Sequence, residues 1–149
     1  MTDKEVEKEK VRIKKLANKW MSTLGLNWWT KIDISYHRTE DDGDGPTAYS
    51  PKALGGEWVC PMSVTCDPNY LTAEIKVFMP FTSKLDDREL EETFLHEVSH
   101  IILSPMHHKQ TSKEEELVAT KLAQAFYWTR SAGEKKKTIS QTSGLTRKK

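Results

Sequence analysis

The sequence lacks the features that mark membrane, secreted and strongly charged proteins. It has 149 residues and a formal net charge of +1, from 23 basic and 22 acidic side chains. No apolar run approaches the roughly 20 residues that a bilayer-spanning helix needs. The N-terminal segment MTDKEVEKEKVRIKK also lacks the apolar stretch of a secretory signal. These absences predict a cytoplasmic protein without membrane association, and the balanced charge gives no general argument for nucleic-acid binding.

Cysteine is scarce as well, since Cys60 and Cys66 are the only two in the chain. Their spacing, Cys-x5-Cys, matches no common zinc module. In a cytoplasmic protein such a pair is normally reduced. We therefore expect plain thiols here, and neither a disulfide nor a cysteine-based metal site.

Hydrophobic periodicity predicts an α+β domain with a small mixed or antiparallel sheet. Apolar residues at three- and four-residue spacing predict helices at residues 4–24, 86–103 and 112–131. Alternating apolar and polar residues predict strands at residues 28–36, 58–66 and 71–79. Asp86 and Glu89 have the spacing of a capping box, which marks the start of the second helix.

The C-terminal part of the chain differs from the rest in composition. Residues 1–132 are predicted to form one domain, whereas the tail at residues 133–149 is rich in Lys, Thr and Ser and is predicted to be disordered. A free basic tail can bind phosphates without sequence specificity. A nucleic-acid-associated protein is therefore one alternative, although a solvated charged tail is the simpler interpretation.

The chemistry is carried by the run His96-Glu97-Val98-Ser99-His100, in the middle of the second helix. Residues four apart lie on one face of a helix, so both imidazoles can reach a single metal ion. Glu97 flanks the pair and can act as general base on a metal-bound water. Apolar neighbours predict that this helix is buried, and buried His and Glu side chains need partners that a metal supplies.

Catalytic zinc usually has three protein ligands, so a third one must be found outside this run. The metzincin pattern requires Gly and His where this chain has Leu103 and Met106. His107 and His108 are therefore interpreted as loop residues. The remaining candidate is a glutamate at the start of the third helix, because two histidines and one glutamate hold zinc in other hydrolases.

Three consecutive glutamates at that helix start compete for the role. The predicted apolar face of the helix contains Val118, Leu122, Ala125 and Phe126. Glu115 lies in phase with that face and is the preferred ligand, with Glu114 as the reserve and Glu116 pointing away. Glu115 also has capping-box spacing from Ser112, which is a purely structural alternative.

The segments HEVSHIILSPM and EEELVATKLAQAF resemble the minimal gluzincin-type metallopeptidases of phages and bacteria, including the ImmA/IrrE-like group. The resemblance covers residues 70–126, and its HExxH part is the specific one. It implies a zincin-like peptidase fold in which a glutamate of the following helix is the third zinc ligand, a part that Glu114, Glu115 and Glu116 fit almost equally. With the choice made above, the predicted site is Zn²⁺ held by His96, His100 and Glu115, with peptide bonds hydrolysed with Glu97 as general base. It also implies that residues 73–79 form an edge strand that pairs with an extended peptide substrate.

A second alternative is a non-catalytic zinc-binding module, regulatory or part of a phage particle, which would have the same site without cleaving peptides. The residue that would stabilise the oxyanion is open among His107, His108, Tyr70 and Tyr127. The sequence predicts neither the substrate nor the oligomeric state.

Overall fold

The computed structural model describes residues 1–38, 60–106 and 112–143. The elements follow in the order α1 (Asp3–Thr23), β1 (Lys31–His37), β2 (Met62–Asp67), β3 (Thr72–Phe78), α2 (Met79–Thr82), α3 (Asp87–Leu103) and α4 (Ser112–Ser143). The predicted α+β class is confirmed, and the small sheet is mixed. The predicted strand at residues 58–66 starts outside the described residues and is observed from Met62.

Helix α1 begins at a capping box in which the side chains of Thr2 and Glu5 each accept a hydrogen bond from the other residue's backbone. Its buried side includes Val6, Ile13 and Trp20, at the spacing that places them on one face. The helix is followed by Gly25, whose φ of 66° is left-handed and suits glycine. The predicted first helix is confirmed.

The sheet has the order β1-β3-β2, with β1 parallel and β2 antiparallel to β3. Ala73, Ile75 and Val77 alternate along β3 and are all buried. One hydrophobic core joins these strand residues to α1, α3 and α4. The sheet therefore contributes one apolar face to a core that the helices complete.

The prediction that residues 73–79 form an edge strand is wrong. Strand β3 is central, because it hydrogen-bonds to β1 along one edge and to β2 along the other. An extended peptide therefore has no free edge of β3 to pair with. The edge position was implied by the resemblance alone, because alternation along a strand shows which face is buried but carries no information about its two hydrogen-bonding edges.

Helix α3 starts as predicted. The Asp86 carboxylate accepts from the Glu89 backbone N–H at 2.8 Å, and the Glu89 carboxylate accepts from the Asp86 backbone N–H at 3.1 Å. Leu85 and Leu90 on either side of this cap are both buried. The helix packs against β2 and α4, so its middle turns lie inside the molecule.

Helix α4 differs from its prediction in both phase and length. Within residues 113–130, where the structure describes the side chains, Ala119 and Ala123 are the buried residues, whereas Val118 and Ala125 of the predicted apolar face are exposed. The backbone stays helical to Ser143, beyond the predicted end at residue 131. The segment after Gly133 begins with one Glu and three Lys, which favour helix, and one glycine costs only about 1 kcal/mol. Residues 144–149 lie outside the described residues.

None of the helices within the described residues combines the length and apolar character that crossing a bilayer requires.

Candidate metal centre

The two histidines of the HExxH run lie one helical turn apart in the buried middle of α3. Their side chains are only 8% and 12% exposed, for His96 and His100 respectively. The ring centroids are 4.8 Å apart, and the two Nε2 atoms approach to 3.2 Å. The prediction that both imidazoles converge on one point is therefore met by the geometry.

Glu116 of α4 completes this cluster. One of its carboxylate oxygens lies 3.1 Å from Nε2 of His96, and the other lies 3.5 Å from Nε2 of His100. Together with the two imidazoles it forms a group whose ligand atoms all lie within 4.8 Å of one another. The Glu116 side chain is 55% exposed, so the cluster is open to solvent on this side.

The structure thus puts Glu116, and not Glu115, in the third position of the cluster. The Glu115 carboxylate instead contacts Nδ1 of His100, at 2.8 Å, on the other side of the ring. Glu114, the reserve candidate, is not a member of the group either. The sequence argument failed because it took the face of α4 that contains Val118 and Ala125 as the buried one, and both residues are exposed.

The helical phase explains the position of Glu116. Ala119 and Ala123 face α3 and are buried, and Glu116 precedes them by three and seven residues. Residues at these spacings share a helix face. Glu115 precedes the same two alanines by four and eight residues, so this phase directs both Glu115 and Glu116 towards α3 and does not choose between them.

The second nitrogen of each imidazole also contacts α4. Besides the contact between His100 Nδ1 and Glu115, the Thr120 hydroxyl lies 3.4 Å from Nδ1 of His96. Both Nε2 atoms therefore face the cluster while both Nδ1 atoms face outer partners. The sequence analysis did not consider Thr120, although its position four residues after Glu116 places it on the same face.

The charge state of the imidazoles depends on burial. Burial and, next, the neighbouring His100 lower the pKa of His96. The carboxylates of Glu116 and Glu115 act in the opposite direction without cancelling this effect. His96 is therefore neutral near pH 7, which is the state in which an imidazole nitrogen can bind a metal.

Glu97 is buried beside the cluster, with 8% of the residue exposed. Burial raises its pKa well above the usual range, and the charge of Glu116 adds to this. The carboxyl group is thus close enough to the cluster to respond to the charge there. Positive charge at the cluster would favour its ionised form.

Strand β2 also lies beside the site. Burial raises the pKa of the Cys66 thiol to about 11, with the Ser104 side chain opposing this rise. The charges of Glu115 and Glu97 raise it further. The Cys66 end of β2 is therefore close to the carboxylates of the site, and neither Cys60 nor Cys66 forms a disulfide.

The remaining residues that sequence reasoning singled out do not join the cluster or cannot be placed. His107 and His108 lie outside the described residues. Tyr70 is 73% exposed in the turn that links β2 and β3. The Tyr127 ring contacts the guanidinium of Arg88, 5.6 Å from its centroid, at the N-terminal end of α3.

The polar atoms of the three side chains lie close together. The two Nε2 atoms are 3.2 Å apart, and each lies 3.1 or 3.5 Å from a different carboxylate oxygen of Glu116. With one atom taken from each side chain, all separations stay within 4.8 Å, whereas ligand atoms of a formed tetrahedral site with bonds of about 2.0–2.1 Å lie about 3.3 Å apart. His96, His100 and Glu116 therefore form a group that could hold a metal ion. Comparison of the chain with protein-family models, with curated proteins and with solved structures gave no match.

Proposed function

We propose that this protein is a zinc-dependent metallopeptidase, in which His96, His100 and Glu116 bind the metal and Glu97 is the general base. The convergence of two Nε2 atoms and one carboxylate at 3.1–3.5 Å carries this proposal. Two nitrogens and one oxygen are a ligand set that zinc accepts in hydrolases, with one position left for water. The half-exposed Glu116 gives water and substrate a route to that position.

A bound zinc ion would polarise the carbonyl of a peptide bond and lower the pKa of water at this site. Residues of the chain would carry out the proton transfers. Glu97 follows His96 directly on α3, so its carboxylate sits beside the ligands without being one of them. It takes a proton from the attacking water and passes it to the leaving amine, which is general base and then general acid catalysis.

The substrate surface that best fits this function is the outer edge of β2. Among the described residues β2 pairs only with β3, and α3 packs beside it. The charges of Glu115 and Glu97 raise the pKa of Cys66, which lies near the end of this strand. A peptide that adds as a further strand would therefore run past the cluster in an extended conformation, with backbone hydrogen bonds supplying affinity.

Cleavage of a peptide library tests the catalytic part of the proposal. The wild-type chain loaded with zinc is incubated with a peptide mixture, and mass spectrometry detects new termini. We expect cleavage that stops on chelation and returns with zinc. Glu97→Gln is expected to lower the rate by about 10²–10⁴-fold, the usual contribution of a general base, while zinc content is unchanged.

Two results would contradict the proposal. Wild-type activity in Glu97→Gln would show that Glu97 is not the base. A wild-type chain that binds zinc stoichiometrically but cleaves no peptide would favour the non-catalytic zinc-binding module. Arg88→Gln is a suitable control, because this exposed residue lies on the same helix but away from the cluster.

A further inference from the structure

Two neighbouring glutamates of α4 contact different nitrogen atoms of the histidine rings. Glu116 faces the Nε2 atoms, whereas the neighbouring Glu115 contacts Nδ1 of His100 at 2.8 Å. Consecutive residues of a helix point about 100° apart, which follows from 3.6 residues per turn. Two adjacent carboxylates can therefore reach opposite nitrogens of one ring.

We propose that Glu115 is a positioning residue that fixes the orientation and tautomer of His100 for metal binding. The inference rests on the proposed function, because it concerns the same metal. An ionised carboxylate only accepts hydrogen bonds, so Nδ1 of His100 must donate to Glu115. In the neutral ring the free electron pair is then on Nε2, the atom that faces His96 and Glu116.

Geometry and burial strengthen this assignment. The Glu115 side chain is 22% exposed and that of His100 is 12% exposed, so water competes weakly for their contact. At 2.8 Å the separation is that of a charge-assisted hydrogen bond. A flip of the imidazole would replace Nδ1 by a carbon atom opposite the carboxylate. Glu115 therefore holds the ring in the one orientation that directs Nε2 to the cluster.

Nδ1 of His96 also has a partner on α4, but the contact is weaker. This atom lies 3.4 Å from the hydroxyl of Thr120, which is a longer contact to an uncharged group. Outer partners of metal-binding histidines typically change metal affinity by about 10–100-fold. We therefore expect loss of Glu115 to matter more than loss of Thr120.

Zinc affinity, measured by competition with a chromogenic chelator, tests the proposal on the full chain. We expect Glu115→Ala to weaken zinc binding by about 10–100-fold. Glu115→Gln, whose amide oxygen can still accept from Nδ1, should lose less, and Thr120→Val less than Glu115→Ala. Glu114→Ala removes the same charge from the preceding position of the helix and is the matched control, expected within about twofold of wild type.

Cobalt substitution separates a positioning residue from a ligand. The visible absorption of bound Co²⁺ depends on the atoms that ligate it. We expect Glu115→Ala to keep the shape of the wild-type spectrum and Glu116→Ala to change or lose it. Thermal unfolding of the metal-free variants shows whether an altered affinity merely reflects a damaged fold, in which case the midpoint would fall in parallel.

The tautomer of His100 gives a readout that needs no metal. In the metal-free chain at pH 8, nitrogen NMR of the histidine rings is expected to find hydrogen on Nδ1 of His100, with a mixture of tautomers in Glu115→Ala. Hydrogen on Nε2 in the wild type would overturn the inference. Wild-type zinc affinity in Glu115→Ala, or a changed cobalt spectrum, would overturn it too. Failure of the wild-type chain to bind zinc, with the Nδ1 tautomer intact, would refute the metal site instead.

Discussion

The two helices that build the site differ in how firmly the protein holds them. On α3, His96 and Glu97 are 6% and 8% exposed and lie in the core of the molecule. On α4, the Glu116 side chain is 55% exposed and lies near the start of its helix. The candidate metal site thus combines a buried part on α3 with a part at the surface on α4. The fold therefore fixes the histidines, whereas the positions of the glutamates depend on how closely α4 approaches α3.

Polar contacts with α1 help to fix the position of α3. The Glu91 carboxylate accepts from Nε1 of Trp20 at 2.6 Å and also pairs with Lys19. Near the start of the helix, the Arg12 guanidinium donates to the Asp87 carboxylate at 2.7 Å and to the Leu85 carbonyl oxygen at 3.0 Å. Helix α3 is therefore anchored by polar contacts in addition to its apolar face.

Different contacts hold helix α4 in place. Ala119 and Ala123 are 0% and 4% exposed, so the helix meets α3 through side chains of one methyl group each. Farther along, Arg130 contacts α1, by a hydrogen bond of 3.2 Å to Thr23 and by its position over the Trp20 ring. The position of the glutamates is therefore sensitive to the size of two small residues.

The largest expected effect comes from joining the two halves with a metal. A ligand that binds only the folded state at 1,000 times its Kd stabilises it by about 4 kcal/mol. Saturating zinc should then raise the unfolding temperature by on the order of 10 °C. Glu116→Ala should remove most of this rise, as seen by calorimetry with and without chelator. An equal rise in the variant would show that Glu116 is not a ligand.

A smaller effect is expected when the spacing of the two helices is disturbed. Ala123→Leu adds bulk where α4 meets α3 and should destabilise the metal-free protein by about 1–3 kcal/mol. Ala119→Leu, closer to Glu116, should in addition weaken zinc binding. Ala125→Leu is the matched control, because Ala125 is exposed and Leu is also a good helix former. If all three variants unfold alike in urea, the close approach of the helices is not what positions α4.

The smallest effect concerns the anchoring of α3 alone. Glu91→Gln removes the charge that accepts from Trp20 and pairs with Lys19, and should cost about 1–2 kcal/mol. Glu92→Gln breaks only a surface pair with Arg88 and should leave stability nearly unchanged. Urea unfolding compares the two. Equal effects would mean that the polar contacts to α1 do not anchor α3.

The sequence predicts α3 well because several signals agree there. The capping pair Asp86 and Glu89, the apolar residues around the HExxH run and the four-residue spacing of the histidines all indicate one buried helix. Each signal is local, so none depends on how distant parts of the chain meet. The start of the helix and the convergence of His96 and His100 followed from these signals alone.

The parts that could not be predicted depend on contacts between elements. The choice among three adjacent glutamates depends on which face of α4 meets α3, and the buried residues there are Ala119 and Ala123, whereas Val118 and Ala125 are exposed. The place of β3 in the sheet depends on its pairing with β1 and β2, which its own alternation does not encode. The first error came from the apolar pattern of one helix and the second from the family resemblance, and neither source contains the contacts between elements.

The most direct test of the central claim is the zinc stoichiometry of the purified full chain, measured by elemental analysis after dialysis against trace zinc. If His96, His100 and Glu116 bind one cation together, the wild type will hold one zinc per chain and Glu116→Ala will hold almost none, while Glu114→Ala matches the wild type. A wild-type chain without zinc, or a Glu116→Ala chain that keeps it, would contradict the account.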